Sequence, residues 1–203
     1  MSLSVQQKYD EKYKNIRFER TQLFKLLAEE YGPKYILYPG CSTHITPSIF
    51  FSHVLYIDKS EEAAEYFNKL PEIIIMVRRN KQYKQQPNIE FINKDYETVQ
   101  LRDTYDLLLS LYSPNIIKSC CRFVKKDGLV LTHNFQNEAQ LLQRADDWKI
   151  KSLIRYEKGR YKIIDRKQFK IENRNSDKRY LKNSSTGVEY IEGEIYYVFQ
   201  KTK

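Results

Sequence analysis

No stretch of this 203-residue chain approaches the ~20 consecutive apolar residues that a membrane-spanning helix needs, so no such helix is expected. Cysteine is almost absent. Cys41, Cys120 and Cys121 form no C-x-x-C pair and no metal-spaced set, which argues against a zinc site and a disulfide framework. Residues Met1 to Asp10 are polar and lack the apolar core of a signal peptide. These absences predict a cytoplasmic protein with reduced thiols, no bound metal and no membrane partner. Glycine is also scarce, with six residues, and neither G-x-G-x-x-G nor a Walker A sequence occurs. A dinucleotide site would lack its close glycine approach to the pyrophosphate, and a phosphate-cradling P-loop is excluded.

What remains is a globular composition. Apolar residues make up 41% of the chain, enough for a real core, and the length suits a single α/β domain over residues 1–203. The net charge of +9 is concentrated. Residues 149–182 hold 13 Lys/Arg against 4 Asp/Glu, and the rest of the chain carries 22 of each sign. Such a segment can meet phosphates or an acidic partner, or it can be a solvated face. The 17 Tyr and 10 Phe could stack on bases or fill a core.

Helical spacing of Ile16, Leu23, Leu26 and Leu27 predicts one helical segment from Val5 to Tyr31, stopped by Gly32-Pro33. Short apolar runs predict strands at Tyr35–Tyr38, Val54–Ile57, Ile89–Ile92, Tyr105–Ser110, Leu129–Thr132, Ile150–Ile154 and Ile195–Phe199. Helices are expected between them: after the cap Ser60, around Glu72–Tyr83, at Asn115–Phe123 and at Glu138–Trp148. Lys126-Asp-Gly128 reads as a turn. Strand–helix alternation up to about residue 150 implies a parallel sheet, and non-alternating apolar strands imply cover on both faces. The last two strands form a hairpin-like pair around a basic insertion, 155–194.

In an open α/β sheet, ligands bind beyond the carboxyl ends of the strands, where strand order reverses. The residues there are Gly40-Cys-Ser-Thr-His44, Asp58-Lys59, Asp95-Tyr96, Ser110-Leu-Tyr-Ser113 and His133-Asn134. Glycine after the first strand permits a tight turn, an acid after the second can accept both hydroxyls of a ribose, and an acid after the third can accept from an adenine amino group.

Taken in order, Tyr35-Ile-Leu-Tyr-Pro-Gly-Cys-Ser-Thr-His44, Val54-Leu-Tyr-Ile-Asp-Lys-Ser60, Ile89-Glu-Phe-Ile-Asn-Lys-Asp95, Tyr105-Asp-Leu-Leu-Leu-Ser110 and Val124-Lys-Lys-Asp-Gly-Leu-Val-Leu131 resemble the class I S-adenosylmethionine-dependent methyltransferases. The resemblance spans residues 16–154 and the final strand. It implies a Rossmann-like methyltransferase fold, with a seven-stranded, mainly parallel sheet, helices on both faces and one antiparallel strand. It also implies S-adenosylmethionine as cofactor, with contacts from Tyr38, Gly40, Cys41, Ser42, Asp58, Lys59, Asp95, Tyr96 and Ser110.

The sequence departs from that family at one end of the pocket. Tyr38 stands where the family places an acid that helps hold the cofactor's ammonium group, only Gly40 of three loop glycines remains, and the span from Gly40 to Asp58 is about one helical turn short. Two readings therefore stand: a methyltransferase of unknown acceptor, or a non-catalytic relative of the fold that binds nucleic acid or protein. Ser110-Leu-Tyr-Ser-Pro114 is not the Asn/Asp-Pro-Pro-aromatic signature of amino methylation on bases or glutamine. Tyr112 and His133 are the candidate catalytic groups, and His44 is either a ligand contact or a structural turn residue. Arg155, Lys158, Arg160, Lys162, Arg166 and Lys167 are expected to meet an anionic acceptor or partner, RNA among them.

Overall fold

The structure is a computed structural model that describes residues 3–16, 18–111, 113–164 and 194–203, together with the backbone of 182–184 and 187–189. In chain order the elements are α1 (Val5–Tyr9), a π-helical turn (Asp10–Lys14), α2 (Thr21–Tyr31), β1 (Tyr35–Pro39), α3 (Pro47–Phe50), β2 (His53–Asp58), α4 (Glu61–Phe67), α5 (Leu70–Asn80), β3 (Asn88–Asn93) and β4 (Tyr105–Ser110). There follow α6 (Ile116–Cys120), a 3-10 turn (Cys121–Phe123), β5 (Val124–Thr132), a second 3-10 turn (Phe135–Asn137), α7 (Glu138–Arg144), β6 (Trp148–Glu157), β7 (Arg160–Ile164), β8 (Lys182–Ser184), β9 (Gly187–Glu189) and β10 (Ile195–Lys201).

The main sheet has the order β3-β2-β1-β4-β5-β10-β6-β7. Strands β1 to β5 are mutually parallel, and β10 runs antiparallel to both β5 and β6. The expected mainly parallel sheet is present, with the antiparallel strand where the C-terminal run predicted it. One strand more is found: β7 folds back on β6 and makes the sheet eight-stranded. Its turn was hidden because Lys158, and not glycine, takes the first left-handed position (φ 49°), followed by Gly159 (φ 76°). β8 and β9 form a separate two-stranded ladder.

The inner strands β1, β2 and β4 are buried because each face of the sheet has its own cover. One face carries Ile36, Tyr38, Tyr56, Leu109, Leu131 and Tyr196, under α1, α2, α4 and α5; the other carries Leu37, Ile57, Leu108, Val130 and Tyr197, under α6 and α7. Burial on both faces explains why these strands read as continuous apolar runs. Strand order reverses between β1 and β4, which sets the tips of β1, β2, β4 and β5 side by side. Among the described residues no helix is long and apolar enough to cross a membrane, and no cluster of three or more His, Cys, Asp or Glu could hold a metal.

Three expectations are corrected. The helix predicted over Val5–Tyr31 is broken: it widens into the π turn, and Arg20 adopts a left-handed conformation (φ 54°) before α2 restarts. The widened turn buries both Tyr9 and Tyr13, with ring centroids 5.5 Å apart. Lys126-Asp-Gly128, expected as a turn ahead of the fifth strand, lies inside β5 as an irregularity in its pairing with β4, with Asp127 at φ 63°. The helix predicted to reach Trp148 ends at Arg144, and Trp148 opens β6. Ser60 caps α4 as expected, its hydroxyl accepting from the Ala63 N–H.

The irregularity in β5 depends on Gly128. A Cβ there would lie 2.7 Å from Val124 Cγ1 and 2.8 Å from the Lys125 carbonyl oxygen. Backbone cannot yield as a side-chain tip does, so Gly128→Ala is expected to lose about 1–3 kcal/mol of stability. A shift in urea midpoint checks this, and an unchanged midpoint would show that the strand relaxes around the methyl group.

Candidate functional site

The site begins with the turn after β1. Gly40 has φ 64° and its N–H donates to the Ile57 carbonyl (2.8 Å). A side chain is excluded at this position: a Cβ would fall 2.2 Å from Ser113 Oγ and 3.5 Å from a ring carbon of Tyr96. The loop then turns through Ser42, also left-handed at φ 50°. Its N–H donates to Asp58 Oδ2 at 2.7 Å, while Asp58 Oδ1 accepts from the Ser60 N–H at 2.8 Å. One carboxylate thus fastens the β1 loop to the tip of β2 and to the start of α4. Each oxygen retains a second lone pair.

Beside it, Lys59 Nζ meets Asp95 Oδ2 at 2.8 Å, an exposed pair that lowers the Asp95 pKa mainly through this hydrogen bond. Tyr96 leans over from β3 and donates its hydroxyl to the Pro114 carbonyl (2.7 Å). Gly40, Ser42, Asp58, Lys59, Asp95 and Tyr96 therefore form one connected group at the tips of β1, β2 and β3.

Three other residues expected at the cofactor are taken up by packing. Tyr38 is buried, and its hydroxyl bonds to His44 Nδ1 at 3.1 Å. Cys41 is buried, and burial pushes its thiol well above its usual pKa, so it is no reactive thiolate. Ser110 is buried and gives its hydroxyl to Glu138 Oε2. Glu138 was missed by the sequence reading, which saw only a helix-starting acid. The fold carries it under the β4 tip, where Oε1 also accepts the Ile117 N–H (3.1 Å) and burial raises its pKa.

His44 resolves as structural. It is buried, with Nε2 2.9 Å from Thr46 Oγ1 and 3.2 Å from the Glu19 carbonyl, and Tyr13 packs on its ring at 4.8 Å. Tyr9 reaches the same Thr46 hydroxyl at 2.6 Å, and Tyr13 reaches Thr43 Oγ1 at 3.1 Å. The N-terminal segment therefore closes over the β1 loop through a cluster of rings and hydroxyls. Pro47 starts α3, a single turn.

His133 is buried beyond β5, between Phe135 (5.9 Å) and Tyr196 (6.1 Å). Tyr112 lies outside the described residues, as do Arg166 and Lys167. Lys158, Arg160 and Lys162 are exposed on the β6–β7 hairpin, and Arg155 bonds to Glu157 at 2.9 Å. Cys120 is buried in α6, where the sequence placed it.

Burial, aided by the charge of Arg20, lowers the His44 pKa to about 3, so the ring is neutral in the folded state at neutral pH. In the unfolded chain it titrates near ~6.5. Between these values the unfolded state binds the extra proton, so stability present above pH ~6.5 is lost as pH falls towards 3, by at most about 1.4 kcal/mol per pH unit from this group. Urea unfolding of the wild type and His44→Gln across pH 4–7 measures it. The variant should be less stable at pH 7 and show the shallower slope; equal slopes would refute a buried neutral imidazole.

With the geometry in place, comparison with known proteins is informative at the level of fold. No protein-family model matches the chain, and no curated protein matches it in sequence. Solved structures do match. The N-methyltransferase NodS from Bradyrhizobium japonicum WM9 is similar over 95% of this chain and 99% of its own, with a TM-score of 0.55 at 10% identity. TehB from Haemophilus influenzae gives a TM-score of 0.56 at 14% identity over 98% of this chain and 68% of its own. The plantazolicin methyltransferase BpumL, solved with S-adenosylhomocysteine (SAH), gives 0.52 at 15% identity over 98% of this chain and 89% of its own. At such identities the likeness speaks for architecture, and this chain has the Rossmann-like fold of these methyltransferases.

Proposed function

We propose that the chain binds S-adenosylmethionine across the tips of β1, β2 and β3 and transfers its methyl group to an acceptor held on the β5–β7 side. The observation that carries this reading is the junction of Gly40, Ser42 and Asp58. A left-handed glycine turn and a carboxylate at the next strand tip are locked together by a 2.7 Å hydrogen bond. That junction sits beside the reversal of strand order, and the second lone pairs of Asp58 suit the two hydroxyls of a ribose. Asp95 and Tyr96 lie where an adenine would rest. NodS and BpumL, which share the fold, have been solved with SAH.

S-adenosylmethionine supplies an already activated methyl on a sulfonium, so this chain's residues have only to bind and align. Asp58 accepts the ribose hydroxyls, Asp95 accepts from the adenine amino group with Lys59 beside it, and the Tyr96 ring flanks the base. His133 and Tyr112 stay the candidates for taking a proton from the acceptor. The three cysteines carry free thiols, which suits the cytoplasm.

One observation favours a second reading, a non-catalytic binding module. The family's ammonium-holding acid is replaced by Tyr38, whose hydroxyl is already bonded to His44 inside the core. Titration calorimetry with S-adenosylmethionine and SAH separates the two, and binding of neither at millimolar concentration would favour the module. If Asp58 holds the ribose, Asp58→Ala forfeits charge-assisted hydrogen bonds worth about 1.5–3 kcal/mol. That is a loss in affinity of roughly tenfold to a hundredfold. Melting curves taken alongside establish that the variant is folded; unchanged affinity in a folded variant would exclude the role.

A further inference from the structure

Tyr35, His53 and Tyr105 are the first residues of β1, β2 and β4, so they meet at the amino ends of the strands. With Leu55, Glu90 and Asp103 they line a cleft of about 380 Å³. β1 runs five residues, so about 13 Å of strand, at ~3.3 Å per residue, separates this cleft from the strand tips. It is therefore a place apart from the junction of Gly40, Ser42 and Asp58.

The polar groups around it have little to bond to. Tyr105 is 92% buried, and a buried tyrosine usually finds a partner for its hydroxyl. Among the described residues this one has no hydrogen-bond partner. Burial, and then the charges of Asp103 and Glu90, push its pKa up to about 12. Both of those acids line the cleft, so the hydroxyl faces into it. His53 Nδ1 lies 2.9 Å from Ser52 Oγ, and its ring sits 4.9 Å from that of Tyr35, while Nε2 has no bond among the described residues.

The two acids are also unpaired. Among the described residues neither meets a cation; the Asp103 carboxylate accepts no hydrogen bond, and Glu90 accepts a long one, 3.3 Å from Asn88 Nδ2. Elsewhere Asp95, Asp106 and Glu157 each hold a lysine or arginine. In a chain of net charge +9, two acids facing one cleft without a partner stand out. The adjacent cations Lys34 and Arg102 are exposed and do not line it.

Spacing narrows the ligand. Glu90 lies on β3 and Asp103 just ahead of β4, the outer members of the order β3-β2-β1-β4. Three spacings of ~4.8 Å put their backbones about 14 Å apart, on opposite walls. Among the described residues no three His, Cys, Asp or Glu approach as a metal ion requires. Between the walls lies Leu55, an apolar floor. The space exceeds the ~150 Å³ that takes a benzene.

We propose that this cleft binds a small aliphatic diammonium ion, with one head at Glu90, the other at Asp103 and the methylenes over Leu55. Charge-assisted hydrogen bonds hold each head, and the Tyr105 hydroxyl adds an acceptor between them. Half-exposed Tyr35 offers its ring at the rim, where a cation is attracted to the face. The binding does not rest on the methyl-transfer reading.

Calorimetry on the full chain at fixed ionic strength would use putrescine, with butylamine as the singly charged control and magnesium chloride as the inorganic one. Putrescine should bind at least tenfold more tightly than butylamine, and magnesium should not displace it at equal concentration. Glu90→Gln and Asp103→Asn change exposed residues, so both should fold, and each should bring putrescine close to butylamine. Tyr105→Phe removes a hydroxyl without a partner and should weaken putrescine threefold or more. Amide NMR shifts should centre on His53 and Tyr105 and spare Gly40 and Asp58. Equal binding of the two amines, no saturable binding, displacement by magnesium, shifts centred on the strand tips, or an unchanged preference in the folded Glu90 and Asp103 variants would each overturn the proposal. The S-adenosylmethionine titration reports separately: putrescine binding without cofactor binding would retain the cleft and remove the methyl-transfer reading, and the reverse would remove the cleft alone.

Discussion

The neutral imidazole of His44 is the joint on which the arrangement around the β1 loop depends. Three groups from different parts of the chain meet it: Tyr38 of β1, Thr46 ahead of α3, and the Glu19 carbonyl at the break in the N-terminal helices. The ring is kept uncharged by its burial and by the nearby charge of Arg20. The same cluster determines where Arg20 stands, because Glu19 is its neighbour in sequence. The cover of the strand tips and the break in the helix meet at this one cluster.

A second junction, at Asp58, works differently. It lies at the edge of the core, and it ties loop, strand and helix by accepting two backbone N–H groups. Carboxylate oxygens accept more than one donor each, so a residue that organises the loop keeps capacity for a ligand. Tyr38 at the end of β1 is buried, with its hydroxyl turned to His44. The two strand ends thus differ in kind: open carboxylate lone pairs at the tip of β2, and a closed hydrogen-bonded core at β1.

The sheet was legible from residues 35 to 132 because its inner strands are covered on both faces and so appear as unbroken apolar runs ending in Gly40, Asp58 and Ser110. The order of those endings also carried the fold, since ligand-facing residues cluster at strand tips in any open α/β sheet. Less legible were features set by contacts distant in sequence. Nothing local in residues 15–20 stops a helix; there is neither proline nor glycine, and the break comes from burying Tyr9, Tyr13 and Arg20 against residues up to 176 positions away. Glu138 reads as an ordinary first-turn acid, and only the approach of Ser110 and the α6 backbone makes it a buried clamp. The β7 strand was hidden by a turn that places lysine where glycine or asparagine is usual.

By itself the sequence determined the class of fold, the series of strand ends and the acid at the second of them, because hydrophobic period and turn chemistry act over a few residues. Which of those ends remain available to a ligand was decided by the tertiary structure alone. Only the assembled fold reveals that Tyr38 and Ser110 are buried with their hydroxyls turned to His44 and Glu138, while Asp58, bonded at both oxygens, is partly exposed and still has lone pairs to offer.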